Sequence, residues 1–149
     1  MNGVSIHLVV EDVAEALDWY PKALGATVRR VLHLPDGSPA LADLDILGTL
    51  VAVAAPIPGG TMATPATSGT TAAAYHLTVE DAAAALGRAE EAGATVFEPL
   101  HDAFWGDRTG QVLDPWGHRW AFDQHVRGVS DSEVERELAS LSSGQTDDR

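Results

Sequence analysis

The chain repeats itself. His7-Leu8-Val9-Val10-Glu11-Asp12 returns as His76-Leu77-Thr78-Val79-Glu80-Asp81, at an offset of 69 residues. Gly-Ala-Thr-Val at 25–28 returns at 93–96, an offset of 68, and Gly48-Thr-Leu-Val-Ala-Val is answered by Gly117-His-Arg-Trp-Ala-Phe, at 69 again. Three landmarks at nearly one offset point to two copies of one supersecondary unit. A length of 149 residues is one domain's worth, so the two copies must share one fold.

Each copy opens with a period-two pattern. Ile6, Leu8 and Val10 fall on one side of a strand and Ser5, His7 and Val9 on the other; Tyr75, Leu77 and Val79 alternate with Ala74, His76 and Thr78. Asp12 is placed to cap a helix whose apolar positions Val13, Leu17, Tyr20 and Leu24 recur at helical spacing, with Gly25 suited to its end. Pro21 is expected to kink or shorten that helix. ATVRRVLHL, the turn Pro35-Asp36-Gly37, SPALADLDI and TLVAVAA complete a βαβββ unit. The second copy runs through a helix over 82–92, ATVFEPL, a loop DAFWGDRTG, QVLD, the turn DPWG, and HRWAFDQH. The expected organisation is one α+β domain over 1–127, with a first module 1–55, a Pro/Gly/Thr-rich linker 55–72 and a second module 73–127. Residues 128–149 form an acidic helix and tail, opened by the capping box Ser130–Glu133, with a helix of about 12 residues and a frayed SSGQTDDR end.

Composition narrows the chemistry. At 45% hydrophobic and 21% charged, the chain has ordinary globular values. Its apolar runs are short of the ~18 residues a membrane span needs, so no membrane partner is expected. MNGVSIHLVVED has no basic leader region, which makes the cytoplasm the expected compartment. The absence of cysteine removes disulfides, thiolate metal sites and cysteine nucleophiles. Nine Lys+Arg against 22 Asp+Glu give a net charge of −13, which repels phosphate backbones, excludes nucleic acid as a partner and attracts cations. There is no HExxH, no GxSxG and no glycine-rich phosphate loop.

Paired βαβββ units, an ED opening each helix, an LGA or AGA ending it, and DPWGHRW near the end resemble the vicinal oxygen chelate superfamily, the glyoxalase, bleomycin-resistance and extradiol-dioxygenase group. The run from Phe104 to His125 is similar to its PhnB-like branch. The resemblance implies paired curved half-barrel sheets with helices outside, a concave ligand cleft and a homodimer. It also implies metal ligands at four equivalent strand positions, which here are Ser5, Ala52, Ala74 and Ala121. Three of those cannot ligate through a side chain, so no metal and no other cofactor is expected. The alanines leave open volume on the concave faces. Strand parity sets His7, His76, Thr78, Arg119 and Asp123 beside them, with Ile6, Leu8, Leu77, Val79, Trp120 and Phe122 under the helices.

On this reading Ser5, His7, Ala52, Ala74, His76, Thr78, Trp105, Asp107, Arg119 and Ala121 line a ligand site, with His7 and His76 the candidate catalytic bases. Arg119 needs a carboxylate, and Asp123 is its expected internal partner. Trp105 and Asp107 suit a stacked or cationic guest; their structural alternative is an Asp107–Arg108 loop clamp with Trp105 plugging a barrel end. Asp114-Pro115-Trp116-Gly117 reads as a structural turn, Trp19, Tyr20, Trp120 and Phe122 as core, and His118 and His125 as partnerless. The leading expectation is a homodimeric, metal-independent binder of a small organic molecule, sequestering a cationic or aromatic toxic compound as in antibiotic resistance. The alternatives are a metal-independent isomerase, lyase or cyclase on a carbonyl or polyketide-like substrate, a metal enzyme with a displaced His7/His76 site, and an interaction module with a filled cleft.

Overall fold

The computed structural model describes residues 2–147. Two four-stranded mixed sheets repeat one topology. In the first, β1 (Ile6–Val9), β2 (Thr27–His33), β3 (Pro39–Ile46) and β4 (Thr49–Ala54) lie in the order β1-β4-β3-β2. In the second, β5 (Ala74–Thr78), β6 (Thr95–Asp102), β7 (Asp107–Leu113) and β8 (Arg119–His125) lie in the order β5-β8-β7-β6. Each outer first strand pairs in parallel with the last strand of its own copy, and the other pairings are antiparallel. The α+β architecture of two βαβββ units is therefore as the repeat predicts.

The helices α1 (Val13–Leu24) and α3 (Ala82–Glu91) pack on each other and on the inner sheet faces. Asp12 accepts from the Ala14 and Glu15 amides, and Asp81 from the Ala84 amide, so both repeated acids cap their helices. Helix α1 runs through Pro21 without ending, and Gly25 closes it at φ 69°. The Pro21 carbonyl is doubly used: it accepts from the Gly25 amide and from Arg88 Nη2 of α3, while Arg88 Nε donates to the Lys22 carbonyl. A cation thus sits on the negative end of α1 and ties the two copies together.

The core lies between the helices and the sheets, and Trp19, Tyr20, Trp120 and Phe122 are buried in it as expected. Tyr20 stacks on Trp116, 5.6 Å between ring centroids, and meets Trp19 and Trp120 edge-on. Asp114 is more than a turn residue. Its carboxylate is buried and accepts from Tyr20 Oη at 2.5 Å, Trp120 Nε1 at 3.0 Å, and the Trp116 and His118 amides at 3.0 and 2.9 Å. His118, expected to be partnerless, donates Nε2–H to the Val9 carbonyl of the other copy at 2.7 Å.

Three further expectations change. The segment read as a loop over 102–110 is strand from Asp107 onward, because Asp107 and Arg108 pair with His125 and Gln124 on β8. The linker carries a short helix α2 (Pro65–Ser68) capped by buried Thr64, and the Ala66 amide donates to the Trp116 carbonyl. Helix α4 (Asp131–Asp147) is longer than expected and runs through most of the SSGQTDDR segment; residues 148–149 lie outside the described residues. Among the described residues it packs against no other helix or strand, and its start is capped by Ser130 Oγ accepting from the Glu133 amide. No helix among the described residues is long and apolar enough to cross a membrane.

Candidate functional site

The open faces of the two sheets can be compared row by row, because register and repeat agree. His7 pairs with Ala52 and Ala52 with Asp43; one repeat later His76 pairs with Ala121 and Ala121 with Gln111. The next row reads Ala54 and Leu41 beside Val9 in the first copy, but Asp123 and Thr109 beside Thr78 in the second. At that row the same backbone therefore presents apolar side chains in the first sheet and polar ones in the second.

On the polar face a chain of hydrogen bonds runs outward. Buried Thr109 donates Oγ1–H to Asp123 Oδ1 at 2.7 Å, and Asp123 Oδ2 lies 2.6 Å from His76 Nδ1. An ionised carboxylate only accepts, so the imidazole donates Nδ1–H to Asp123, and Nε2 has no partner among the described residues. The His76 side chain is 54% exposed. Arg119 does not pair with Asp123 as expected. The two are four residues apart on β8, with Ala121 between them on the same face, and Asp123 is taken by Thr109 and His76. Arg119 instead donates Nε–H to Gln111 Oε1 and lies over the Phe97 ring, 4.6 Å from its centroid.

On the apolar face the row Val9, Leu41 and Ala54 floors a groove of about 560 Å³, walled by His7, Leu34, Ile57 and Met62. That volume falls within the range of small-molecule sites. His7 Nε2 lies 3.1 Å from Ser5 Oγ and, among the described residues, has no carboxylate beside it. A second cavity of about 450 Å³ occupies the seam between the sheets, where Ile6, Leu47 and Val51 face Ala74, His76 and Thr78.

Sequence parity orients the strands as they are found, but it gives an incomplete picture of the space. Ala74 is exposed, yet Ala52 is only 8% exposed and Ala121 is fully covered. Neither of these two belongs to the core beneath the helices. On the outer face Ala121 lies between Arg119 and Asp123 along β8 and between His76 and Gln111 across the sheet, and it is completely covered. Trp105 is 44% exposed and meets Phe104 edge-on, lining neither the groove nor the seam cavity. Asp107 lies 3.4 Å from His125, and Arg108 pairs with Asp102 at 2.7 Å rather than with Asp107. Arg108 holds the Asp102 carboxyl below its ordinary value. Thr109 and Gln111 are the site residues that sequence reasoning missed. Their signal is the register of β7 with β8, which the expected strand QVLD leaves out for Thr109 and does not supply for Gln111.

Of Ser5, Ala52, Ala74 and Ala121, the four positions implied to hold metal ligands, the three alanines offer a methyl group with no electron pair, and the one Ser5 hydroxyl left does not make a divalent-ion site. His7 and His76 line different cavities, and among the described residues no three His, Cys, Asp or Glu side chains converge as a ligand set.

The family model of the Glyoxalase/Bleomycin resistance protein/Dioxygenase superfamily matches residues 4–122. A Mycobacterium bovis protein, Mb0911c, is 42% identical over 144 residues, covering 95% of this chain and 95% of its own length. Among solved structures, TioX from Micromonospora sp. ML1 is 27% identical with a TM-score of 0.64, covering 83% of this chain and 100% of that one. An Arabidopsis thaliana gene product, At5g48480, is 27% identical with a TM-score of 0.68 over 83% of this chain and 98% of its own. The fosfomycin resistance protein FosX of Listeria monocytogenes, crystallised with Mn(II), shares the fold at 14% identity, with a TM-score of 0.64 over 92% of this chain and 98% of that one.

Proposed function

The chain belongs to the Glyoxalase/Bleomycin resistance protein/Dioxygenase superfamily, and within it we propose a protein that binds a small organic molecule without a metal. The observation that carries this reading is the groove of about 560 Å³ on the first sheet, floored by Val9, Leu41 and Ala54 and walled by Leu34, Ile57, Met62 and His7. Affinity there comes from burying apolar surface of the guest, with Met62 able to adapt to its outline. A net charge of −13 favours a cationic or aromatic guest, whose encounter the field accelerates. Sequestering such a toxic compound in the cytoplasm is the role that follows, and the Phe104–His125 run supports placement in the PhnB-like branch.

The working unit in this proposal is a homodimer. Leu32, Leu34, Leu50 and Phe97 are 46, 51, 61 and 53% exposed, large apolar groups that a second copy would cover. A mass of two chains by light scattering is the expected result, and a monomer would contradict it. The binding reading is tested by titrating cationic aromatic antibiotics, daunorubicin first, while following tryptophan fluorescence and melting temperature. Ligand at a hundred times its Kd adds about 2.7 kcal/mol. That is a rise of roughly 5–10 °C for a chain of this size. No quenching and no thermal shift across the panel would defeat the reading.

A further inference from the structure

We propose that the open face of the second sheet carries a proton-transfer site in which His76 is the base, acting on carbonyl compounds with an acidic C–H bond. The inference rests on the binding reading only in needing an organic guest at the sheet faces. The repeat supplies its main argument. Two copies of one backbone diverge where chemistry would diverge: Asp123 and Thr109 stand where the first copy has Ala54 and Leu41. His7 is thus a histidine without a carboxylate, while His76 is held by one at 2.6 Å, itself held by buried Thr109.

That chain fixes the tautomer and the direction of the ring. Nδ1–H is committed to Asp123, and Nε2 is free to take a proton on a side chain that is 54% exposed. The neighbours Ala74 and Thr78 are small, and all three line the seam cavity of about 450 Å³, so a substrate can approach Nε2. Arg119 is in register with Ala74, one row from His76. Gln111 and the Phe97 ring hold its Nε and its plane. Its Nη groups, with no acceptor among the described residues, can meet a developing oxyanion.

The step balances without a co-reactant. The C–H bond beside the carbonyl breaks and its proton goes to His76 Nε2; its electron pair forms the new C=C bond as the carbonyl π pair moves onto oxygen, giving an enolate within reach of Arg119, which lines the adjoining cavity with Phe97. Return of the same proton to oxygen or to another carbon completes a tautomerisation or isomerisation. Asp123 is a positioning residue in this scheme.

The test uses benzoylacetone, which is neutral and aromatic and whose keto–enol conversion is followed by ultraviolet absorbance. The wild-type protein is expected to accelerate the conversion above buffer. His76→Ala should lose about 100-fold or more, the span of a positioned base. Asp123→Asn should lower kcat with KM unchanged, because an amide donates to Nδ1 and leaves the proton on Nε2. Benzoylacetone that binds but converts no faster than in buffer, or a His76→Ala variant as fast as wild type, overturns the base assignment and leaves binding intact. Benzoylacetone that neither quenches tryptophan fluorescence nor shifts the melting temperature overturns this assignment and counts against the binding reading as well.

Discussion

Replacing Asp114 by Asn should destabilise the protein out of proportion to a one-atom change. The carboxylate is 5% exposed and accepts four hydrogen bonds. In Asp114→Asn the remaining carbonyl oxygen can keep the Trp116 and His118 amides, but the new NH2 group faces two donors, Tyr20 and Trp120. The tyrosine hydroxyl can rotate to accept. The indole N–H cannot, and it is left buried without a partner. Losing a charge-assisted bond costs about 1.5–3 kcal/mol and stranding a buried donor about 1–3, so the sum is about 2.5–6 kcal/mol. Against a total stability of about 5–15 kcal/mol this leaves a marginal fold. Urea unfolding followed by circular dichroism at neutral pH measures it, with Tyr20→Phe and the double variant closing a cycle. Because the two groups share one bond, the double variant should cost less than the sum of the singles. An Asp114→Asn variant within 1 kcal/mol of wild type, or strictly additive costs, would refute the hub (threshold set by the ~0.3–0.5 kcal/mol scatter of additive pairs). The same pair gives a pH signature. Burial first, then the Asp114 charge, pushes the Tyr20 hydroxyl well above its ordinary value of 10.0. Above that value the unfolded chain releases a proton the folded chain retains, so stability must fall as pH rises beyond it. Tyr20→Phe should flatten the decline without abolishing it, since burial also raises Tyr75.

The repeat offers an internal control on glycine. Gly48 and Gly117 occupy equivalent positions with φ 88° and 90°, but a Cβ on Gly48 meets nothing within 4 Å while one on Gly117 comes 2.7 Å from the Ala66 amide nitrogen. Gly48→Ala should cost about 1–2 kcal/mol for left-handed strain alone. Gly117→Ala should cost clearly more by chemical denaturation, and equal costs would contradict the close approach. Leu47 is a leucine at φ 50° in the two-residue turn joining β3 to β4. Leu47→Asn gives that turn its preferred Asn-Gly pair and should stabilise by about 0.5–1 kcal/mol. An unchanged or lower urea midpoint would count against it.

The fold was legible because its signals are local and doubled: capping aspartates, helix-ending glycines and alternating strands each occur at nearly the same offset. Pro21 misled in the opposite direction, since α1 keeps enough other bonds and a cap from Arg88 to continue past it. The site was half legible. Parity placed His7, His76, Arg119 and Asp123 on the outer faces, but parity orders residues along one strand and does not say which cross-strand neighbour claims a charge. Gln111 and Thr109 decide that, and they become visible only with the register of β7 against β8. The same limit hid the filling of the space over Ala121, where small size in sequence did not mean room in three dimensions.

Binding of daunorubicin to EDTA-treated protein, wild type against Ala54→Arg, bears most directly on a metal-free organic site. Ala54 lies on the floor of the groove, and arginine there both fills it and sets a like charge against a cation. The account predicts saturable binding with no added metal and at least a tenfold loss in Ala54→Arg at an unchanged melting temperature, since roughly 1.4 kcal/mol of contact disappears with the groove. Binding that appears only when a divalent metal is restored, or that Ala54→Arg leaves intact, would contradict it.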